Sequence, residues 1–142
     1  MELLHGFADA VYANNTNYWS TSGYVFIIAG GAVTWGSRKQ TSITLSSTEA
    51  EYVAFSEAAQ ESKWLQTLYK ELGFEQNYSI PLFGDNQGSF MMENNPQFHK
   101  KSKHIEIWWH WVREQIKRKF IELQDCQDPE NMANEAINSW KT

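Results

Sequence analysis

The spacing of the apolar residues changes about a third of the way along the chain, and this change limits the possible folds more than any other feature. Before it, apolar residues cluster in short strand-like runs at residues 6–11, 23–28 and 32–35. Gly30 and Gly31 separate the last two runs, which are therefore predicted to form a β-hairpin. Pairing of the first run with this hairpin is the simplest arrangement.

A long helix is predicted after this strand-rich part. Ser46 with Glu49, and Thr48 with Glu51, both have the spacing of a capping box. Apolar residues then recur at helical intervals as far as Gly73, where the helix is predicted to end. These residues are Ala54, Ala58, Leu65, Leu68 and Leu72.

The rest of the chain alternates between strands and helices. A strand at residues 82–83 precedes a helical stretch that stops before Pro96. An amphipathic helix is predicted over residues 103–119, then a strand at 120–123 and a last helix from about residue 130. This order predicts an α/β fold with a mixed sheet, and the length of 142 residues predicts a single domain over residues 1–142.

The composition argues against several classes of protein. No apolar run approaches the roughly 18 residues of a membrane span, and the first residues do not resemble a signal peptide. These features predict an intracellular, cytoplasmic chain with no membrane partner. Cys126 is the only cysteine, so an internal disulfide is impossible and a zinc site is not expected.

The net charge of −5 has the wrong sign for a protein that binds nucleic acid by bulk electrostatics alone. The positive charges are nevertheless clustered at residues 100–104 and 113–119. Each cluster is either a solvated helix face or a local basic surface.

Three acidic residues lie at positions where an acid is informative. Asp9 lies in the first strand, Glu51 one turn into the long helix, and Asp85 directly after the fourth strand. An acid in a sheet is costly to bury unless it is paired or holds a metal. If the first and fourth strands are neighbours, Asp9 and Asp85 come side by side, and the start of the helix brings Glu51 over them.

Three converging carboxylates raise one another's pKa unless a divalent cation lies among them. Oxygen ligands without His or Cys select Mg²⁺ or Mn²⁺, and paired ions about 4 Å apart promote in-line attack of water on a phosphodiester. The acids therefore predict metal-dependent phosphodiester hydrolysis. The alternative is that they are helix caps and surface acids.

Glu49 competes with Glu51 for this site. Two residues apart on a helix, their side chains point to nearly opposite sides, so only one faces the sheet. Glu51 lies close to the stripe that Ala54 and Ala58 continue, and it is therefore selected. Glu49 is assigned to the first turn, where the helix dipole favours an acid.

Seven segments of the chain form a recognisable set. They are GFADA at residues 6–10, STSGYVF at 20–26, GGAVTW at 30–35, SRKQ at 37–40, LSSTEAEY at 45–52, DNQ at 85–87 and KHIEI at 103–107. In kind and order they resemble the ribonuclease H domain of copia-type LTR retrotransposon polyproteins, from about residue 6 to residue 138.

The resemblance implies a ribonuclease H-like fold, with a five-stranded mixed sheet flanked by helices. It also implies an endoribonuclease that uses two Mg²⁺ (or Mn²⁺) ions to cleave the RNA strand of RNA–DNA hybrids during reverse transcription. The implied partners are the hybrid and the reverse transcriptase part of the same polyprotein. An active element would place the domain in a virus-like particle.

Position by position, the resemblance assigns Asp9, Glu51 and Asp85 to the first three of the family's four metal-binding acids. The fourth acid normally follows an alanine in the last helix, and the matching pair here is Ala133-Asn134. Asn134 can offer a carbonyl oxygen to a metal but brings no charge. The resemblance therefore leaves two readings, an impaired enzyme or a catalytically inactive module that binds nucleic acid or supports a reverse transcriptase.

An integrase of the same broad fold is disfavoured. In an integrase the Glu should follow both Asp residues, whereas Glu51 lies between Asp9 and Asp85.

Two further residues resemble positions at which this fold contacts the hybrid. Ser47 lies just before the part of the helix that carries Glu51, and Gln87 lies two residues after Asp85. Hydroxyl and amide side chains both donate and accept hydrogen bonds, which suits the 2′-hydroxyls that distinguish RNA in the minor groove. The alternative for both residues is helix capping.

Overall fold

The structure, a computed structural model, describes residues 4–12, 19–41, 47–74, 78–84 and 103–125. The strands in these ranges are β1 (His5–Val11), β2 (Thr21–Ile28), β3 (Gly31–Lys39), β4 (Ile80–Gly84) and β5 (Ile121–Asp125). The helices are α1 (Ser47–Glu71) and α2 (Lys103–Lys117). The helix expected to stop before Pro96 and the last helix, expected from about residue 130, lie outside the described residues.

The strands form one mixed sheet in the order β3-β2-β1-β4-β5. β1, β2 and β3 pair antiparallel, whereas β1, β4 and β5 run parallel. Phe7 of β1 is level with Phe83 of β4, so the carboxyl ends of both strands reach the same edge of the sheet. The five-stranded mixed sheet is as the resemblance implies, and β1 and β4 are neighbours, which is the condition stated above for Asp9 and Asp85 to come side by side.

The end of α1 is set by Gly73, as the sequence predicts. Gly73 has a φ of 88°, which is costly for a residue with a Cβ. Its N–H donates to the carbonyl of Lys70 (3.1 Å), and the N–H of Phe74 donates to that of Tyr69 (2.8 Å). These are the two hydrogen bonds of a Schellman motif, and they satisfy carbonyls that the end of the helix leaves without partners.

α1 packs closely on one face of the sheet because glycines in the strands leave room for aromatic rings. A Cβ added at Gly84 of β4 would overlap the ring of Phe55, which is fully buried on α1. A Cβ at Gly36 of β3 would come within 2.8 Å of the ring of Tyr24. The glycines therefore fix how near the helix and the aromatic side chains approach the strands.

The apolar stripe predicted for α2 faces the core. Trp109 and Val112 are buried, and Trp108 and Ile116 are half-buried against the same hydrophobic cluster. These tryptophans are therefore core residues, while the side chain of Ile105 lies outside the described residues. Neither α1 nor α2, the helices described here, is long and apolar enough to cross a bilayer.

Replacing Gly84 tests the close approach of α1 to β4. We expect Gly84→Ala to lower the free energy of unfolding by about 1–3 kcal/mol, because the methyl group forces the buried ring of Phe55 to move. Gly31→Ala is the matched control, since the nearest atom to its added Cβ lies 4.0 Å away. Urea unfolding of both variants measures the difference, and equal stabilities would contradict the packing described here.

Candidate active site

The candidate site lies at the edge of the sheet where β1 and β4 end. Asp9 is half-buried near the carboxyl end of β1, opposite Gly23 of β2. Side chains alternate along a strand, so Asp9 shares a face with Phe7 and lies opposite the face on which Ala8 packs in the core with α1. Asp85 follows β4 in the sequence and lies outside the described residues.

Glu51 is carried by α1, which packs on the other face of the sheet. It lies in the second turn of α1 and is 6% exposed. Glu49 lies in the first turn, as expected, but is also 6% exposed. Burial therefore does not separate the two acids, and the choice of Glu51 over Glu49 stays a prediction from the residue pattern.

The first turn of α1 is joined to the strands by Gln40, which directly follows β3 and is 1% exposed. Its backbone N–H donates to the carbonyl of Ser20 (2.8 Å). Its side-chain Nε2 donates to the hydroxyl of Ser22 (2.8 Å) and to the carbonyl of Ala50 (2.9 Å). Ala50 precedes Glu51, so the amide of Gln40 acts on the backbone that carries this acid.

A polar cluster continues from Ser22 between α1 and the strands. The Ser22 hydroxyl donates to the carboxylate of Glu57, and the guanidinium of Arg38 donates to the hydroxyl of Tyr24 (3.4 Å). Burial raises the pKa of Glu57, while the charge of Arg38 and the hydrogen bond from Ser22 partly offset this effect. Burial also raises the pKa of Tyr24, and the charge of Glu61 adds to it.

The cluster was not identified from the sequence. Ser22 lies in the segment STSGYVF and Arg38 and Gln40 lie in SRKQ, and neither segment by itself predicts a contact between these residues. The sequence gives one indication of such a cluster. Polar residues in these segments flank strand-like runs, and a polar side chain that becomes buried there needs a hydrogen-bonding partner.

The structure describes some of the predicted site residues and not others. Asp9 and Glu51 lie at the edge just described, and Ser47 is exposed at the start of α1. Asp85, Gln87 and Asn134 lie outside the described residues. Among the side chains that the structure describes, no group of three or more His, Cys, Asp or Glu is placed to hold a metal. The four-ligand site therefore stays a prediction.

The basic residues at the end of α2 lie away from this site. Lys117 ends the helix, and Lys119 is separated from β5 by Phe120 alone. The carbonyl of Phe120 accepts from the N–H of Ile80 at the amino end of β4, which is the edge opposite the one that Asp9 approaches. The exposed cluster at residues 117–119 therefore does not line the candidate site.

Comparison with known proteins gives several relatives among transposon polyproteins. No family model matches the chain. The retrovirus-related Pol polyprotein from transposon TNT 1-94 of Nicotiana tabacum is 35% identical over 133 residues, which cover 93% of this chain and 10% of that protein. The Pol polyprotein from transposon RE2 of Arabidopsis thaliana is 36% identical over 115 residues, covering 80% of this chain and 8% of the relative. The chain thus spans a tenth or less of these two polyproteins.

Solved structures share the fold. LC11-RNase H1, solved in complex with an RNA/DNA hybrid, superposes with a TM-score of 0.68 at 11% identity and covers 96% of this chain and 95% of its own. The protease-reverse transcriptase of prototype foamy virus gives a TM-score of 0.52 at 14% identity, with 96% of this chain matching 19% of that one. At these identities the likeness shows the fold alone, and it confirms the predicted ribonuclease H-like fold.

The buried carboxyl of Glu57 predicts how stability depends on pH. Because its pKa is raised in the folded state, the folded chain holds this proton more tightly than the unfolded chain, and stability falls as pH rises through the interval between the two pKa values. We expect Glu57→Gln to be more stable than the parent near pH 7 and to lose this part of the pH dependence.

Urea unfolding between about pH 4 and pH 8 measures this effect. Glu71→Gln is the control, since it removes one negative charge from the exposed end of the same helix. A Glu57→Gln variant that is less stable than the parent at neutral pH would show that Arg38 and Ser22 outweigh the cost of burial.

Proposed function

This chain belongs to the ribonuclease H domains of retrotransposon Pol polyproteins, and from that premise we propose that it is a metal-dependent endoribonuclease that cleaves the RNA strand of RNA–DNA hybrids. The observation that carries the proposal is the arrangement of β1, β4 and α1. β1 and β4 run parallel and end at the same edge of the sheet, so the strand that carries Asp9 ends beside the strand that precedes Asp85 in the sequence, and α1, which carries Glu51, packs on both strands.

The donor set fits hard divalent cations. Asp9 and Glu51 are carboxylates withdrawn from solvent on neighbouring elements, and burying such groups is costly unless positive charge is near. With Asp85 and the carbonyl of Asn134 they make an all-oxygen set that would hold Mg²⁺ or Mn²⁺. When bound, two such ions supply stabilisation of the attacking and leaving oxygens of a phosphodiester.

The substrate proposal is supported by residues around these acids. Ser47 is exposed at the amino end of α1, where its hydroxyl and the first backbone N–H groups are available to a phosphate or a 2′-hydroxyl. Gln87, two residues after Asp85, is proposed as a second contact. LC11-RNase H1, which shares the fold, was solved with an RNA/DNA hybrid.

The relatives support the proposed partner, and the location is part of the same proposal. The transposon relatives are polyproteins of which this chain matches a tenth or less, and the foamy virus neighbour is a protease-reverse transcriptase. We propose that the chain is one domain of a copia-type polyprotein and works beside its reverse transcriptase in the cytoplasm, within a virus-like particle where the element is active.

Asn134 favours a second candidate function. An amide at the fourth ligand position leaves three negative charges to face two divalent cations. A module that binds nucleic acid or supports a reverse transcriptase without cleaving RNA is consistent with that loss. Metal-dependent turnover separates the two functions.

Cleavage of a labelled RNA–DNA hybrid tests the proposed function. We expect cleavage with Mg²⁺ or Mn²⁺, none with EDTA, and none from Asp85→Asn, because this change removes a charge that the metals require. Single-stranded RNA and duplex DNA should stay uncut. Glu122→Gln, at an exposed position of β5, is the matched control and should cleave as the parent does. Cleavage that survives in Asp85→Asn would assign the activity to another site.

Restoring the fourth acid should increase cleavage. Asn134→Asp brings the charge of the site loaded with two metals to neutrality, and we expect the metal concentration for half-maximal rate to fall about tenfold if the ligand contributes about 1.4 kcal/mol. The metal-free protein should melt slightly earlier, because one more like charge joins the acids.

Asn138→Asp is the control for this change, since it adds the same charge four residues away. Metal titrations of cleavage and of melting temperature compare the three proteins. Indistinguishable curves for the parent and Asn134→Asp would mean that residue 134 does not face the metals.

A further inference from the structure

Gln40 forms buried hydrogen bonds that the proposed function does not explain. The residue is buried directly after β3, where the chain leaves the sheet, and its side chain contacts both α1 and β2. We propose that Gln40 is a positioning residue that holds Glu51 at the carboxyl edge of β1. This inference rests on the proposed function for its consequence in metal binding, and on geometry alone for the anchoring of α1.

The two hydrogen bonds from Nε2 join the elements that carry the acids. One is accepted by the carbonyl of Ala50, the residue before Glu51. The other is accepted by the hydroxyl of Ser22, whose backbone pairs with Ala10, the residue after Asp9. The amide of Gln40 therefore links the backbone next to Glu51 to β2, the strand that pairs with β1 next to Asp9.

The orientation of this amide is fixed by its partners. A carbonyl can only accept a hydrogen bond, so the group that faces Ala50 must be the NH₂ and not the oxygen. Within the part of the chain that the structure describes, Oε1 of Gln40 is buried and has no hydrogen-bonding partner. A buried acceptor without a hydrogen-bonding partner lowers the stability of the fold, so Oε1 gives no reason for an amide at this position. The two hydrogen bonds that Nε2 donates are the contribution that an apolar residue could not make.

A second contact holds the same part of α1. The hydroxyl of Ser22 accepts from Gln40 and donates to Glu57, which lies two turns after Ala50 on the helix. Ala50, through Gln40, and Glu57 are therefore both linked to the same hydroxyl of β2, that of Ser22. Two links along the helix restrain it more than one would, and Glu51 lies between them in the sequence.

A matched residue at the other end of α1 separates positioning from general stability. Gln66 is half-buried, and its Nε2 donates to the carbonyl of Phe120 (3.2 Å). It also ties α1 to the sheet through an amide, but it lies 15 residues from Glu51. Gln40→Met and Gln66→Met keep the approximate length of each side chain and remove the donated hydrogen bonds.

Two measurements on the 142-residue chain and both variants test the proposal, each made well below the melting temperature. The first is amide hydrogen exchange along α1. In Gln40→Met we expect exchange in the first three turns to accelerate at least tenfold more than in the last three, with the reverse bias in Gln66→Met. The second is the affinity for Mn²⁺, measured by electron paramagnetic resonance. We expect about a tenfold weaker affinity in Gln40→Met and the parent's affinity in Gln66→Met.

The results that would contradict the positioning role of Gln40 differ from those that would contradict the proposed function. If the parent binds Mn²⁺ and Gln40→Met binds it equally well, or if both variants lose affinity equally, the positioning role is wrong. If the parent binds no Mn²⁺, the proposed metal site is wrong, and the exchange pattern alone decides whether Gln40 anchors α1. Uniform acceleration along the helix in Gln40→Met would overturn the anchoring as well.

Discussion

The parallel pairing of β1 with β4 is the constraint on which the candidate site depends. Antiparallel neighbours would send Asp9 and the residue after Gly84 to opposite edges of the sheet. Parallel strands instead require a crossover, and α1 supplies it, starting at the edge where β1 ends and running back along the sheet. The same connection that permits the parallel pair therefore delivers the start of a helix to this edge, and Glu51 with it.

Close packing determines how precisely that helix is placed. Phe55 of α1 lies on Gly84 of β4, so the helix approaches this strand at a point where no Cβ separates them, while Tyr24 of β2 lies on Gly36 of the neighbouring β3. Apolar contact of this kind restrains distance but not sliding or rotation of the helix. Directional hydrogen bonds near the acid, such as those from Gln40, restrict what apolar packing leaves free.

The sequence predicts the fold better than the site because the two are encoded differently. The β2–β3 hairpin, the end of α1 at Gly73 and the core stripe of α2 follow from periodicity and turn residues, which act locally. β3 extends to Lys39, beyond the predicted run at 32–35, because its polar residues pair through the backbone with β2, and backbone pairing leaves no trace in the apolar pattern. The family resemblance, carried by seven motifs, is confirmed by the transposon relatives.

The hydrogen bonds of Gln40 join residues that are 10 and 18 positions apart, so no local pattern encodes them. The segment SRKQ marks the residue without giving its partners, and the equal burial of Glu49 and Glu51 shows that exposure does not choose the acid either. The hydrogen bond from Gln40 does not distinguish the two acids either, because Ala50 lies between them in the sequence. The basic residues at 117–119 lie at the opposite edge of the sheet from this site, whereas Arg38 and Lys39 lie at the end of β3, near the edge where β1 ends. The proposed metal chemistry requires that the acids be held in fixed positions before the substrate arrives.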